Sequence, residues 1–464
     1  MLNKTLGYWL VALAAFGSMI ATGAPAADAD KESDFKFRFV GPKVGNRIAA
    51  VAGVPGDPSV YYAGAASGGI WKSADGGNLW APVFDKQPVA AIGALAVAPS
   101  EPSTVWAGTG EAWVIRDSDV MGNGIYKSTD AGKTWANMGL PASGRIGRIV
   151  IHPSNPDIVF ACVLGRVTGP QQERGVYRTT DGGLHWERVL FGGDNVGCSG
   201  LSMDPHNPHT LVAGMWQVEM HTWGELSGGA GSGIYVSHDG GTKWTRLEEH
   251  GLPHAPVGKI DVAIAPTNSN RIYALMQTKD QGSVWRSDDS GEHWRAVNSQ
   301  RALIGRAGYY IRIAVSTGSD NEVYVANSSF HQSLDSGENF HEVRWGGDTH
   351  DIWVDPTNPD RFVITDDAGM LITTVHGRGF HRVNLPIGQM YHVAVDDQIP
   401  YYFYSNMQDD GNMRGPSVPF DSQETGWDRH MGGCESGFTV PDIVDPDVVW
   451  ATCYGDTVTR WDAR

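Results

Sequence analysis

The chain has 464 residues, including 59 glycines and 17 tryptophans, and its 35 basic and 52 acidic residues give a formal net charge of −17. That negative charge would repel a phosphate backbone, which excludes nucleic acid as a partner. Apolar residues are dispersed over the whole length and no Gly-X-Y period occurs, so neither a disordered chain nor a collagen is expected.

Residues 1–29 are predicted to be a secretory signal peptide. Lys4 supplies one positive charge, an apolar run extends from Leu6 to Ile20, and small residues follow it. A membrane anchor is the alternative, but the apolar run is shorter than the roughly 20 residues that a bilayer requires. We therefore expect a secreted or periplasmic protein with no membrane span after signal cleavage.

The four cysteines are Cys162, Cys198, Cys434 and Cys453. Export would place them in an oxidising compartment, where disulfides form. Cys434 and Cys453 lie closest in sequence and are the predicted pair, and unpaired burial of all four is the alternative. No C-x-x-C motif occurs, so a zinc site is not expected.

An octapeptide of the form Ser/Thr-x-Asp-x-Gly-x-x-aromatic recurs six times, about 50 residues apart, which is a period typical of solenoids and propellers. Strand-like runs flank each copy, so each is predicted to be a hairpin turn in which the aspartate binds backbone amides and the glycine adopts a positive φ. The six aspartates are Asp75, Asp130, Asp181, Asp239, Asp289 and Asp335.

A second marker, a proline-containing turn followed by an apolar strand, precedes the octapeptides. It is clearest at His152–Ala161 and Asp204–Ala213, and weaker copies raise the count to about nine units. Each unit then contains four strands, as in a propeller blade, so we expect an all-β fold. Residues 30–380 are predicted to form a first propeller of about seven blades. Residues 381–464 are predicted to start a second propeller that the chain does not complete, and a single ring of about ten blades is the alternative.

The octapeptides resemble the Asp-box, also called the bacterial neuraminidase repeat. The resemblance covers residues 38–464 and implies a β-propeller in which the box is a structural turn on the outer rim. The same repeat occurs in sialidases, xyloglucan hydrolases, sortilin-type receptors and photosystem assembly factors, so it does not by itself assign a function.

In a blade with strands A to D, the Pro-turn and the Asp-turn lie on one face, and the B–C and D–A loops share the opposite face. This loop face surrounds the mouth of the central channel, where propellers bind ligands. Aromatic rings beside carboxylates and amides there are typical of a sugar cleft, although a peptide could use the same groups. The predicted ligand-binding residues are Trp113, Arg116, Arg174, Trp216, Trp223, His350, Gln408, Asp409 and Asp410. The opposing interpretation is that the tryptophans fill the channel and the charges pair with arginines.

Glycoside hydrolysis requires two carboxyl groups, one protonated and one ionised. The predicted catalytic residues are Glu111, Asp348 and Asp351. No organic cofactor is expected. Calcium is an alternative ligand for Asp409 and Asp410 together with Asp366 and Asp367, although their spacing matches no EF-hand loop.

A closer resemblance is to exported bacterial Asp-box proteins that are described as sortilin-like or as glycosyl hydrolases. It depends on Gly64–Ser73, Gly108–Glu111, Glu173–Tyr177, Met215–Gln217 and Gln408–Gly411. In xyloglucan hydrolases the first blade carries a catalytic aspartate before Gly-Gly, and here Ala66 and Ser67 precede Gly68 and Gly69.

Two functions follow. The first is an exported propeller that recognises polysaccharide and resembles glycoside hydrolases. The alternative is a non-catalytic propeller, sortilin-like or assembly-factor-like, that binds an extracytoplasmic protein or peptide. Two carboxylates in an open cleft would favour the first, and a closed channel with paired charges would favour the second.

Overall fold

A computed structural model describes residues 40–41, 44–114, 120–418 and 426–464 of the chain. The predicted signal peptide and Arg116 lie outside these residues. The described part consists of antiparallel sheets and one short 3-10 helix, Arg301–Ile304, and it contains no helix long and apolar enough to cross a membrane. The predicted all-β propeller fold is confirmed.

Nine sheets follow one another along the chain, and we number them as blades one to nine. Blade one contains β1 (Ile48–Val54), β2 (Asp57–Ala65), β3 (Ile70–Ser73) and β4 (Ala81–Pro82). Blade two contains β5 (Ile92–Ala98), β6 (Glu101–Thr109), β7 (Ile125–Ser128) and β8 (Ala136–Asn137). Blade three contains β9 (Ile146–Ile151), β10 (Val159–Val163), β11 (Gly175–Thr179) and β12 (Glu187–Leu190). Blade four contains β13 (Val196–Met203), β14 (Leu211–His221), β15 (Gly224–Ser227), β16 (Gly233–Ser237) and β17 (Thr245–Arg246), with β15 paired to β14.

The remaining blades repeat the pattern. Blade five contains β18 (Ile260–Ala265), β19 (Asn268–Met276), β20 (Val284–Ser287) and β21 (Arg295–Asn298). Blade six contains β22 (Arg312–Val315), β23 (Val323–Ala326), β24 (Ser329–Ser333) and β25 (His341–Gly347). Blade seven contains β26 (Thr349–Val354), β27 (Phe362–Asp366), β28 (Gly369–Thr373) and β29 (His381–Val383). Blade eight contains β30 (Met390–Val395), β31 (Tyr402–Met407), β32 (Gly411–Pro416) and β33 (Asp428–Arg429). Blade nine contains β34 (Thr439–Pro441), β35 (Val448–Cys453) and β36 (Thr457–Asp462).

The first seven blades close into a ring. Their first strands lie side by side in chain order, and β26 of blade seven packs against β1 of blade one. Each of the seven interfaces has its own apolar cluster, which explains why β1, buried on both faces, has the continuous apolar sequence IAAVAGV. The alternative of one ten-bladed ring is therefore wrong, since blades eight and nine lie outside the ring. The fourth strand of blade seven, β29, lies just beyond the predicted domain boundary at residue 380.

The octapeptides form the turns between the third and fourth strands. In all six, the first Ser or Thr hydroxyl accepts a hydrogen bond of 2.8 to 2.9 Å from the amide of the glycine four residues later. The aspartate accepts further backbone amides, as at Asp75, where Leu79 donates at 2.9 Å. Blade seven has a divergent turn in which Val375 replaces the aspartate and Gly377 still donates to Thr373 at 3.1 Å.

Two disulfides join neighbouring elements. Cys434 bonds Cys453, which confirms the predicted pair. Cys162 bonds Cys198 and links β10 to β13 across the interface of blades three and four. Sequence proximity did not indicate this second bond, because the two cysteines are separated by 36 positions.

Arg361 fixes the closure between blades seven and one. Its buried guanidinium contacts the Asp355 carboxylate at 2.6 Å and donates to the carbonyls of Val54 and Asp57 in blade one, each at 2.6 Å. A buried ion pair depends on both partners, since removal of one leaves an uncompensated charge.

We expect Arg361→Ala to lower the free energy of unfolding by about 3 to 5 kcal/mol, because Asp355 would remain buried without its guanidinium. Urea denaturation followed by circular dichroism measures the change. The exposed Arg344→Ala variant is the control and should lie within about 0.5 kcal/mol of the parent. Equal unfolding midpoints for the two variants would contradict this role of Arg361.

Candidate functional site

Side chains from several blades converge on the loop face. Arg47 lies directly before β1, Glu111 follows β6, and Asp367 follows β27. His350 lies near the start of β26, and Asp409 follows β31. In each antiparallel blade the first strand starts and the second strand ends on the same face, so these residues of blades one, two, seven and eight meet on the loop face.

Arg47 is the centre of this cluster. Its Nη1 lies 2.9 Å from Glu111 Oε1, its Nε lies 2.8 Å from Asp367 Oδ1, and its Nη2 lies 3.8 Å from Asp409 Oδ2. Arg47, Glu111 and Asp367 are all buried. One guanidinium thus faces three carboxylates, and the two nearest neutralise it most strongly.

His350 completes the buried side of the cluster. Its Nε2 lies 3.0 Å from Asp367 Oδ1, without the alignment of a hydrogen bond. The ring is fully buried and has the rings of Trp113, Tyr309 and Tyr310 within 6 Å of its own. Burial alone would raise the pKa of Asp367, but His350 and Arg47 reverse this effect and hold that pKa below its usual range.

Asp409 is the most exposed of the three carboxyls around Arg47. Its side chain is 26% exposed, whereas those of Glu111 and Asp367 are at most 10% exposed. Burial, together with the negative charge of Asp367, raises the pKa of Asp409 to about 6. A carboxyl with this pKa is partly protonated near neutral pH and can donate a proton to a bound molecule.

The polypeptide around Asp409 holds it firmly. Gln408 Nε2 donates to Asp409 Oδ1 at 2.7 Å, and the Asp409 amide donates to Glu435 Oε2 at 2.8 Å. Asn46, next to Arg47, donates to the Gln408 carbonyl at 3.0 Å. These contacts attach the β31–β32 turn of blade eight to the segment before blade one.

A second cluster of polar side chains lies on the loop face. Arg306 Nη1 donates to Asp348 Oδ1 at 2.8 Å, and the Tyr310 hydroxyl also contacts Asp348. The Asp348 side chain is 41% exposed, so water and solutes can reach it. Burial and the neighbouring Asp348 raise the pKa of Tyr310 above its usual range, so the phenol is a hydrogen-bond donor.

The central channel is closed by charges. Asp351 pairs with Arg148 at 3.2 Å and with Arg312 at 3.3 Å, and Asp261 lies 3.8 Å from both arginines. These side chains come from the first strands of blades three, five, six and seven, which can meet only on the axis of the ring. Asp351 therefore stands within a closed ionic network.

Trp113 covers this network on the loop side. Its indole nitrogen donates to the Ala49 carbonyl at 3.1 Å, and the Arg312 guanidinium lies 4.5 Å from its ring centroid. The ring is 1% exposed, so it acts as part of the scaffold. Burial beneath it, together with Arg312, lowers the pKa of Lys259 to about 7.

Other predicted residues lie apart from Asp409. Arg174 is buried and donates to the Val218 carbonyl at 3.0 Å, and Trp216 is buried and donates to Ser227 at 3.0 Å. Trp223 is 82% exposed on the β14–β15 hairpin, where it stacks on His221 at 4.5 Å.

The carboxylates proposed for calcium each have a cationic partner. Asp366 pairs with Arg382 at 2.8 Å, and Asp410 contacts Arg429. Asp367 and Asp409 face Arg47. Within the described ranges, no group of three or more His, Cys, Asp or Glu side chains could hold a metal ion.

Two exposed aromatic rings belong to blade eight and to the segment that follows it, and the hydroxyl of one of them contacts the residue next to Asp409. The Tyr391 hydroxyl contacts Gln408, and Phe438 stacks on His392 with ring centroids 4.1 Å apart and planes 13° from parallel. Phe438 itself is 55% exposed. Its ring is a flat apolar surface beside polar groups, the combination that pyranose binding requires.

Sequence reasoning missed Arg47, Asp367 as its partner, and Glu435. Arg47 precedes the first strand and carries no repeat signal, although the run Gly45-Asn46-Arg47 ends where β1 begins. Asp367 was considered only as a calcium ligand. No pattern in the sequence links Glu435 to Asp409, because the two side chains meet only through the packing of blades eight and nine.

Comparison with known proteins gives distant homology. No protein-family model matches the chain. A xyloglucanase from a Paenibacillus species is 25% identical over 327 residues, which are 62% of this chain and 30% of that protein. A probable oligoxyloglucan-reducing end-specific xyloglucanase from Neosartorya fischeri is 24% identical over 318 residues, which are 60% of this chain and 36% of that protein. The chain spans about a third of the length of these curated relatives.

Among solved structures, PorZ, a surface component of the type-IX secretion system of Porphyromonas gingivalis, has a TM-score of 0.53 at 10% identity. The match covers 90% of this chain and 51% of that chain, and it supports the fold alone.

The pKa of Asp409 predicts a pH-dependent stability. Folded Asp409 keeps its proton up to about pH 6, whereas an unfolded aspartate releases it near pH 4. Its contribution to stability is therefore fully present below about pH 4 and is lost as the pH rises through about 6. We expect the free energy of unfolding of Asp409→Asn, relative to the parent, to rise between pH 4 and 6 and then level off, as measured by urea denaturation.

The control for this titration is Asp397→Asn, an exposed position in the β30–β31 turn of the same blade. This variant should stay within about 0.5 kcal/mol of the parent. A difference between Asp409→Asn and the parent that does not change with pH would mean that Asp409 titrates like an ordinary surface carboxyl.

Proposed function

We propose that this protein binds a polysaccharide on its loop face and hydrolyses a glycosidic bond there, with Asp409 as general acid and Asp348 as the second carboxylate. The observation that carries the proposal is the half-buried Asp409 carboxyl, whose pKa is raised to about 6 and whose neighbour Gln408 contacts the exposed Tyr391. A general acid in glycoside hydrolysis must be protonated at the working pH, which this pKa provides.

The two carboxyls differ in environment as the reaction needs. Asp409 is crowded by Asp367 and Glu435, both of which favour its protonated form. Asp348 lies beside the Arg306 guanidinium at 2.8 Å and is open to solvent. Asp409 would protonate the oxygen of the leaving group, and Asp348 would activate water or attack the sugar carbon, according to their separation in the complex.

Glu111 and Asp351 fit a supporting role better than a catalytic one. Glu111 Oε1 is bound to Arg47, and Asp351 is buried between Arg148 and Arg312 in the closed channel. The proposal also makes no use of the first-blade position, where Ala66 stands in place of a carboxylate.

The substrate class rests on the relatives and on the exposed aromatic side chains of blade eight and the segment that follows it. Both curated relatives are named for xyloglucan or its oligosaccharides, so we take a xyloglucan-type glucan as the first substrate to test. Phe438 and Tyr391 would stack on sugar rings next to Asp409. Because ion pairs fill the axis of the ring, the polymer would lie across the loop face and would not pass through the channel.

An extracytoplasmic location is part of the proposal. Both cysteine pairs are oxidised, and disulfides persist in secreted and periplasmic proteins. Polysaccharide substrates are met in the same compartments.

The test is release of reducing ends from xyloglucan and from a panel of other soluble β-glucans by the exported chain. We expect Asp409→Asn and Asp348→Asn each to lower kcat about 10²-fold to 10⁴-fold, because each removes one proton-transfer or nucleophilic group. The Asp397→Asn control should retain the parent rate.

Affinity electrophoresis in gels containing the same polysaccharides separates binding from cleavage. Retardation of the parent, Asp409→Asn and Asp348→Asn chains, with cleavage by the parent alone, supports the proposal. Retardation without cleavage by any chain would leave a lectin-like propeller, and neither retardation nor cleavage would favour the protein-binding or peptide-binding alternative.

A further inference from the structure

We propose that Glu435 is a positioning residue for Asp409 and that the Cys434–Cys453 disulfide makes this positioning sensitive to reduction. The inference rests on the proposed function for its catalytic meaning, but its structural content stands on contacts within blades eight and nine. We call the segment 430–438, which joins β33 to β34, the clamp segment.

Glu435 accepts two hydrogen bonds from the turn that contains Asp409. Its Oε2 accepts the Asp409 amide at 2.8 Å and the Gln408 side-chain amide at 3.1 Å. Its Oε1 accepts the Tyr454 hydroxyl at 2.7 Å. The carboxylate of Glu435 therefore bridges the turn of blade eight and the end of β35 in blade nine.

The Cys434–Cys453 disulfide adjoins Glu435 and one of its hydrogen-bond partners, Tyr454. Cys434 directly precedes Glu435, and Cys453 directly precedes Tyr454. The bond between the two cysteines therefore fixes the hydrogen-bond acceptor and one of its donors relative to each other. Asn406 adds a contact from β31, because its side-chain amide donates to the Cys434 carbonyl at 2.6 Å.

The two disulfides differ in accessibility. Cys162 and Cys198 are fully buried between blades three and four, whereas Cys434 and Cys453 are partly exposed. A dithiol such as dithiothreitol would attack the accessible Cys434–Cys453 bond first. The reaction breaks one S–S bond, transfers two electrons and two protons to give two cysteine thiols, and leaves the dithiol as a cyclic disulfide.

Reduction would remove the covalent link between the clamp segment and β35 and leave hydrogen bonds alone to hold Glu435 in place, among them those between Phe438 and Thr452. The Asp409 amide would then lose a fixed acceptor, and the carboxyl would no longer be held at one distance from Arg47. Loss of the negative charge at Glu435 has a separate effect, because that charge helps to keep Asp409 protonated.

The experiment is amide hydrogen exchange at Asp409, measured by mass spectrometry on peptides that span residues 405–412 of the full exported chain. We expect exchange to rise at least about fivefold in Glu435→Ala, in the Cys434→Ser/Cys453→Ser double variant and in the parent after mild dithiothreitol treatment. Thiol counting should then show two thiols per chain. Glu435→Gln, which keeps an acceptor oxygen, should exchange like the parent.

The pH profile of hydrolysis distinguishes positioning from a general loss of structure. Glu435→Gln removes the charge and keeps the hydrogen bond, so the pKa of Asp409 should fall and the limb of the profile set by this acid should move to lower pH. If the Asp409 amide exchanges at the same rate in the parent, in Glu435→Ala and in the reduced chain, then Glu435 and the disulfide do not position Asp409, and the proposal is wrong. If the parent hydrolyses no polysaccharide, the proposed function fails. Hydrogen exchange still tests whether Glu435 and the disulfide position Asp409.

Discussion

The Arg47 guanidinium is the charge on which the loop face depends. It stands before the first strand and binds carboxylates that belong to blades two and seven, with a third carboxylate from blade eight at 3.8 Å. Buried charges persist only when they are paired, so these parts of the chain must come together around it. Burial and the negative charge of Asp367 raise the pKa of the farthest and most exposed carboxyl, Asp409, and Arg47 at 3.8 Å only partly offsets this rise. Arg47 thus brings the carboxylates together, and their mutual repulsion and burial set the protonation of Asp409.

A second ionic network has a different consequence. Arg148, Arg312, Asp261 and Asp351 occupy the axis of the ring, with Trp113 above them. Their charges are paired with one another along this axis, among the described residues. The proposed hydrolysis therefore uses Asp409 and Asp348, which are partly exposed outside this network. From the sequence, a closed channel with paired charges is associated with protein or peptide binding. The polysaccharide proposal depends instead on the two partly exposed carboxyls outside this network, Asp409 and Asp348.

Local repeats made the fold predictable. The octapeptide and the Pro-turn each specify a short turn whose hydrogen bonds lie within a few residues, as Asp75 and Ser73 show, so their order along the chain defines the blades and the loop face. The predicted face did bring Glu111, His350 and Asp409 together around Arg47. Pairings between distant positions were not predictable. Cys162 and Cys198 meet only because two blades pack together, and nothing around Trp113 in the sequence distinguishes a buried plug from an exposed sugar platform.

The measurement that tests the central claim most directly is a carbon-13 NMR titration of the Asp409 carboxyl, in chain labelled at aspartate and assigned with Asp409→Asn. It should be made with and without a xyloglucan oligosaccharide. We expect the Asp409 carboxyl to titrate with a midpoint near pH 6 in the free protein. We also expect its resonance to change when the oligosaccharide is added. A titration midpoint near pH 4 would contradict the role of Asp409 as general acid. An Asp409 resonance that does not change with the oligosaccharide would contradict binding at this site.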